Sequence, residues 1–327
     1  MRIVARLHAF PPVHNAGAEM MASAMLSALA ERGHDVQVWL SVYNGKRIPY
    51  ELDGVQIIPA AARLDYATAV KNAAAVISHL ENVQSAGALA RGWGRPFVVL
   101  AHNTFEPTFR AIAGGTTALA VYNSQWMREA AAVWFAANTP KHSPARELVV
   151  RPPVHADDYR TAPGDAITLI NLYDPKGGGL FWRLAEAIPD RRFLGVLGAY
   201  GDQVVKDLPN VEVLQHVPGD RMAELVYART KVLLMPSVYE SWGRTGVEAM
   251  ASGIPVIAHQ TPGLAESLAD GGIFVDREDQ AGWVAMLRAL EDPAEWQAAS
   301  ERALLRSKEL DPSEDLARWC EAIEALK

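Results

Sequence analysis

The stretch Pro236–Glu266, PSVYESWGRTGVEAMASGIPVIAHQTPGLAE, decides how this chain is read. The four residues before it, Val232 to Met235, are a continuous apolar run, the mark of a strand buried on both faces. Pro236 and Ser237 end that strand. Glu240 then sits in a loop, Gly243 precedes a helix beginning near Arg244, and Gly253-Ile254-Pro255 stops the helix and launches the next strand. A glycine loop therefore meets a helix N-terminus at the carboxyl end of a strand. Free backbone N–H groups and the positive end of the helix dipole favour an anion there. Gly243 lacks a Cβ, so a phosphate can approach its backbone closely. Glu248, in the first turn or so of the helix, is placed to accept hydrogen bonds from two adjacent hydroxyls, such as a ribose diol. Glu240 reaches a different part of the same ligand, and such carboxylate–hydroxyl bonds are charge-assisted.

The same alternation extends outward. Ile3–Leu7, Val36–Leu40, Val55–Ile58 and Leu119–Tyr122 read as strands, and the continuous apolar runs Ala74–Ser78 and Phe97–Ala101 as strands buried on both faces, the pattern of a parallel sheet. Helical spacing predicts a helix over Glu19–Arg32, stopped near Gly33, and another from Ser124, a favourable N-cap. Asp53-Gly54 signals a turn. Prolines crowd between residues 140 and 165 and mark a linker. A second alternation follows: strands Ile167–Ile170, Phe193–Leu197, Val211–Leu214, Val232–Met235, Val256–Ala258 and Ile273–Val275. Helices are predicted at Gly179–Ile188, Arg221–Arg229, Thr245–Ser252 and through 278–327. The expected fold is α/β, two Rossmann-like doubly wound domains facing across a cleft. Their expected spans are 1–155, 156–310 and a C-terminal helix, 311–327, that crosses back to the first domain. Ligands in such sheets bind beyond the carboxyl ends of the strands.

Composition narrows the function. The chain has 327 residues, a length suited to two domains. Thirty-one Lys and Arg against 38 Asp and Glu give a net charge of −7, which argues against a dedicated nucleic-acid binder. The single cysteine, Cys320, has no partner for an internal disulfide and reads as a half-buried helix residue. No apolar run is long enough for a membrane span, and Arg6 and His8 interrupt any signal-like segment, so the expected location is cytoplasmic. The nine histidines form no HxxxH or HxH motif, and no metal site is expected.

Glu240 and Glu248, with seven residues between them and Gly243 inside, resemble the E-x7-E signature of retaining glycosyltransferases of the GT-B fold, family 4 type. Pro236-Ser237, Glu248-Ala249-Met250, Gly253 to Ala258, Gly263 and Glu266 fit that pattern in order. Weaker matches run along the chain: His14 to Glu19 (HNAGAE), Arg32-Gly33-His34, Ala101-His102-Asn103, Tyr122-Asn123-Ser124 and Val149 to Val154 (VVRPPV). One position departs. Relatives carry an Arg and, five residues later, a Lys that hold the donor diphosphate; here Lys176 is in place but Asn171 stands for the Arg. Asn donates hydrogen bonds yet neutralises no charge. Arg244, beside Gly243, is the candidate to compensate.

The resemblance implies a nucleoside-diphosphate sugar donor, a uridine donor being the commonest, and an unidentified acceptor. Lys176, Glu240 and His102 are the implied catalytic set. The donor would be bound by Gly17, Asn171, Lys176, His216, Val217, Glu240, Ser241, Trp242, Gly243, Arg244, Thr245 and Glu248. Within that set Glu248 takes the ribose and Glu240 the transferred sugar. His216-Val217 offers backbone to the nucleobase, Trp242 walls the sugar pocket or packs, and His102 meets the sugar or orients the acceptor. Segments Tyr43–Tyr50 and Thr104–Gly115 are expected to select the acceptor. Front-face transfer with retention needs no metal and no cofactor beyond the donor. The alternatives are a sugar-nucleotide epimerase or phosphorylase on the same fold, or a non-catalytic nucleotide-sugar binder, suggested by Asn171.

Overall fold

The structure, a computed structural model, describes residues 1–12, 14–41, 48–59, 63–114, 117–139 and 143–326, with the side chains of 63 and 64 excepted. The chain divides into two compact units. The first joins Met1–Pro153 to Pro312–Lys327, and the second is Val154–Asp311.

The first unit is an eight-stranded sheet in the order β3-β4-β2-β1-β5-β6-β7-β8. Its strands are β1 (Arg2–Leu7), β2 (Asp35–Leu40), β3 (Tyr50–Leu52), β4 (Val55–Ile58), β5 (Ala75–His79), β6 (Phe97–Ala101), β7 (Thr117–Tyr122) and β8 (Glu147–Val149). Every pairing is parallel except β3 with β4. That edge hairpin turns on Asp53 and Gly54, both at positive φ, which is the geometry an Asp-Gly pair favours. The helices of this unit that precede the second are α1 (Gly17–Glu31), α2 (Arg63–Lys71), α3 (Val83–Gly92), α4 (Glu106–Ala113) and α5 (Gln125–Asn138). Successive residues of one strand enter different cores. Ile3, Ala5 and Leu7 pack with α1, while Val4 packs with Val70, Ala86 and Tyr122. Burial on both faces is what keeps this sheet parallel and helix-covered. Ser124 caps α5, its hydroxyl accepting from the Met127 amide at 3.2 Å.

The second unit is a six-stranded, wholly parallel sheet in the order β11-β10-β9-β12-β13-β14. Its strands are β9 (Ala166–Ile170), β10 (Phe193–Val196), β11 (Val211–Leu214), β12 (Thr230–Met235), β13 (Val256–Ala258) and β14 (Gly272–Phe274). Its helices are α6 (Ala156–Tyr159), α7 (Gly178–Ala187), α8 (Met222–Leu225), α9 (Arg244–Met250), α10 (Pro262–Leu268), α11 (Gln280–Ala289) and α12 (Pro293–Glu309). From β9 the chain winds outward through β10 and β11, then returns to β12 on the other side. The order therefore reverses between β9 and β12, the place where such sheets open a ligand crevice.

The last helix, α13 (Ser313–Glu324), belongs to the first unit. Trp319 is fully buried there and its indole N–H donates to the Met25 carbonyl at 2.8 Å. Arg151 meets Asp315 at 2.6 Å, and Glu324 receives His34 at 3.0 Å and Arg32 at 3.4 Å.

Two expectations need adjustment. The single helix expected over Arg221–Arg229 is instead a four-residue α8 between two tight turns, broken at Val226 with φ −118°. The break turns the fully buried Tyr227 toward Glu248, so a tertiary contact overrides local propensity. Cys320 lies deep in the first unit's core rather than half-buried, and burial pushes its thiol up to about 11. Pro140, residues 43–47 of one expected acceptor segment and Gly115 of the other lie outside the described residues.

Candidate functional site

The residues that follow β9, β10 and β12 converge at the carboxyl edge of the second sheet. Leaving β9, Asn171 takes φ +72°, a left-handed conformation that Asn tolerates. Its side-chain oxygen accepts from the Tyr173 amide at 3.1 Å and from Gln203 at 3.0 Å, and Gln203 in turn accepts from the Gly198 amide at 2.9 Å. Asn171 thus ties the loop after β9 to the loop after β10.

The segment Asp174–Lys176 makes one tight turn, and Gly177 follows at φ +106°. A Cβ on Gly177 would lie 2.1 Å from the Pro236 ring, so only glycine lets the loops after β9 and β12 touch. The contact is fixed by the Val238 amide donating to the Pro175 carbonyl at 2.9 Å. Arg277, after β14, donates to the carbonyls of Asp174 (2.7 Å), Pro175 (3.3 Å) and Pro236, and so clasps both loops.

That clasp brings Lys176 to Glu240. Their Nζ and Oε1 are 2.6 Å apart, and the Ser237 hydroxyl donates to the same oxygen at 2.9 Å. Burial pulls the Lys176 ammonium down, but the Glu240 carboxylate more than offsets it, and the group stays above its ordinary range. A cation and a carboxylate are therefore held, largely buried, at the point where strand order reverses. Gly263, opening α10, has the Glu240 carbonyl 2.2 Å from where a Cβ would stand.

Gly243 caps α9 at φ +85°, and a Cβ there would meet Leu264 at 2.3 Å. The side chains beyond it form a closed network. Arg244 Nε donates to Glu248 Oε1 at 2.6 Å, and its NH2 donates to the Tyr159 hydroxyl at 2.8 Å. The Tyr227 hydroxyl donates to Glu248 Oε2 at 2.6 Å. Glu248 is only 5% exposed. Burial pushes the Tyr159 phenol up to about 12, and burial with the Glu248 carboxylate raises Tyr227 as well. Arg244, expected to supply the missing phosphate cation, instead neutralises Glu248. An unpaired buried carboxylate is too unfavourable to leave alone.

The remaining expected residues fall as follows. Ser241 and Thr245 are part-exposed on either side of Gly243. Trp242 is 3% exposed and packs in the second unit's core, its indole N–H buried without a hydrogen bond. His216 is exposed and Val217 buried, both after β11, the sheet's outer strand. Gly17 opens α1 in the first unit with open space around it. His102, at the end of β6, shares a hydrogen bond with His79 at 3.0 Å, and burial pushes its imidazole down to about 4.

Among the described residues, no helix is long and apolar enough to cross a membrane. The absence of local histidine motifs in the sequence conceals a three-residue group, His8, Glu19 and His79, whose ligand-type atoms lie within 4.8 Å of one another. Arg277 is equally silent in the sequence, since a lone Arg after a strand carries no motif.

Residues 206–305 match the family model described as Glycosyl transferases group 1, a span that includes His216, Glu240, Gly243 and Glu248. A D-inositol 3-phosphate glycosyltransferase of Corynebacterium kroppenstedtii is 38% identical over 96 residues, 28% of this chain and 21% of that protein. Another, of Streptomyces avermitilis, is 28% identical over 268 residues, 67% of this chain and 58% of that protein. The chain thus matches less than two thirds of these relatives' length. Among solved structures, Anabaena HepE, in complex with UDP and glucose, superposes with a TM-score of 0.78 at 18% identity, covering 99% of this chain and 100% of that one. The chain has the GT-B glycosyltransferase fold, two parallel-sheet α/β units, and its residues 206–305 match the Glycosyl transferases group 1 family.

Proposed function

We propose that this chain is a retaining glycosyltransferase that moves a sugar from a nucleoside-diphosphate sugar to an acceptor hydroxyl. The observation that carries the reading is the Lys176–Glu240 pair, 2.6 Å apart at the strand-order reversal of the second sheet. A cation beside a carboxylate suits a ligand that is anionic at one end and hydroxylated at the other. Lys176 faces the diphosphate and leaves Glu240 free to accept from the sugar. The family match over residues 206–305 and the UDP and glucose bound to HepE support a uridine donor.

In this reading the bond from the anomeric carbon to the diphosphate oxygen breaks, and the acceptor oxygen bonds to the same carbon on the same face. The acceptor's proton passes to the departing phosphate. Lys176 stabilises the charge that grows on the leaving group, and in most enzymes such preorganised electrostatic stabilisation contributes more to the rate than any other effect. The backbone at Gly243 takes the phosphate side and His216-Val217 the base. Glu248 takes the ribose once Arg244 yields one carboxylate oxygen. No resident metal is assigned to the diphosphate.

A panel of nucleoside-diphosphate sugars tested by thermal shift examines the donor, since a ligand that binds the folded state raises its melting temperature. One or a few donors are expected to do so, and Lys176→Ala to lose the effect. If no donor shifts the unfolding transition, the reading fails. The donor incubated alone is expected to persist; its conversion to an isomer would indicate an epimerase.

One observation favours a second reading. Asn171 stands where a cation is expected, and its side chain is committed to Tyr173 and Gln203. A chain that binds donor without transferring it fits that loss. Donor binding by calorimetry, with no release of nucleoside diphosphate across a broad acceptor panel, would select it.

A further inference from the structure

The first unit holds a second group of chemically capable side chains, and its ligands take no part in the glycosyl-transfer reading, although His79 adjoins His102. His8 follows β1, Glu19 lies in the first turn of α1, and His79 ends β5. β1 and β5 are hydrogen-bonded neighbours, so the ends of both strands meet the start of α1. Glu19 is 2% exposed and His79 is fully buried. His8 Nε2 lies 2.8 Å from Glu19 Oε1. Glu19 Oε2 and His79 Nε2 are buried and make no hydrogen bond. Native proteins rarely leave two such atoms unsatisfied side by side, and each instance calls for an explanation.

We propose that His8, Glu19 and His79 are the protein ligands of a divalent transition-metal ion, with Zn²⁺ the best match. Two imidazoles and one carboxylate are the donor set of three-ligand zinc sites that keep an open position. Imidazole selects this class of ion over Mg²⁺ or Ca²⁺, which take oxygen ligands. The candidate atoms lie within 4.8 Å of one another. A tetrahedral zinc needs neighbouring ligands about 3.4 Å apart, given metal–ligand bonds of about 2.0–2.2 Å. The His8–Glu19 contact, at 2.8 Å, opens by about half an ångström to admit the ion, and the remaining distances, all within 4.8 Å, shorten toward the same value.

The outer groups fit the same assignment. If His79 Nε2 binds the ion, its Nδ1 is the atom that meets His102 at 3.0 Å. His8 Nδ1 is buried without a hydrogen bond, and its nearest carboxylate, Glu81, is 3.7 Å away. Ligating histidines commonly have their second nitrogen hydrogen-bonded, which fixes the ring, and the His102 imidazole does this for His79. The His8 side chain is 21% exposed, which gives the ion a path from solvent.

The test is equilibrium dialysis of the full chain, stripped with a chelator and then offered Zn²⁺ alone. One bound equivalent is expected. Glu19→Gln and His79→Gln are expected to weaken binding by more than the 10- to 100-fold typical of outer-shell changes, and His102→Gln by about that amount. His155→Gln, on an exposed histidine of the other unit, should retain the full equivalent. Nitrogen-15 spectra of the wild-type imidazoles need no variant to fold: Zn²⁺ should shift the His8 and His79 ring nitrogens and leave His155 in place. Absence of Zn²⁺ uptake by the wild type, uptake undiminished by both Glu19→Gln and His79→Gln, or shifts confined to other histidines would each overturn the assignment.

Discussion

Lys176 and Glu240 are 64 residues apart in sequence and 2.6 Å apart in space, one at the end of the turn after β9 and the other in the loop after β12. Neither loop reaches the other without Gly177, whose positive φ and missing Cβ admit the Pro236 ring. The pair is held by backbone geometry as much as by charge.

Removing the cation should therefore affect chemistry more than folding. Lys176→Ala is expected to lower kcat for sugar transfer by on the order of 10²–10³, the scale of losing one stabilising group at a leaving oxyanion. Circular dichroism should remain native, because Ser237 still donates to Glu240. The Lys176 ammonium sits above its ordinary range, so its stabilising pairing is fully present below the unfolded lysine's pKa and is lost only as pH rises through the higher folded value. Donor affinity measured between pH 7 and about 9 should show no decline from this group.

Arg244 and Glu248 form the buried counterpart. Arg244→Ala strands a carboxylate that is 5% exposed, and breaking such a pair typically destabilises by about 3–5 kcal/mol. Glu248→Gln keeps the Tyr227 contact and should be milder. The double variant Arg244→Met with Glu248→Gln should recover part of the Arg244→Ala loss. Denaturant unfolding of the three variants checks the order, and a double variant no more stable than Arg244→Ala would contradict it.

Two glycines separate close approach from mere flexibility. Gly263→Ala pushes a methyl into the Glu240 carbonyl and should destabilise by about 1–3 kcal/mol while raising the KM for donor. Gly17→Ala has open space at an ordinary φ and should stay within about 0.5 kcal/mol of the parent. Melting temperatures and donor KM for both variants make the comparison.

The C-terminal helix gives the remaining prediction. Trp319→Ala empties a fully buried indole site and is expected to remove about 3–5 kcal/mol from the first unit. The Glu324 carboxylate is held below its ordinary range by His34 and by Arg32. Its contribution is present above the unfolded carboxylate pKa and is lost as pH falls through the lower folded value. Glu324→Gln should therefore narrow the difference between melting temperatures at pH 7 and in acid.

The residues legible in sequence share one property: their signal is local. The continuous apolar run Phe97–Ala101 and the alternating segment Val211–Leu214 appear as strands with the bounds their composition implies. The Asp53-Gly54 turn is equally plain, yet β3 before it is not, because Tyr50–Leu52 is a short polar-centred edge segment with no periodicity to read. The glycine loop around Gly243 is visible as a loop-to-helix junction, but the partner of Arg244 is not. Whether a guanidinium meets phosphate or a carboxylate one turn along depends on Tyr159 and Tyr227, which come from distant segments. The same limit hides Arg277, which acts on three carbonyls, and the grouping of His8, Glu19 and His79, which only the β1–β5 pairing assembles.

The placement of α13 sets the order in which this molecule is completed during synthesis. The first unit's core includes Trp319, Cys320 and Ile323, which leave the ribosome after every residue of the second unit. Until then the α1 surface around Met25 waits exposed, with the indole that will cover it still unmade. Domains emerging in sequence usually fold N-terminal first. Here the first unit's core is completed only after the second unit has been made, so the nascent chain carries an uncovered apolar seam while residues 154–311 are synthesised, and termination before Trp319 leaves that seam open.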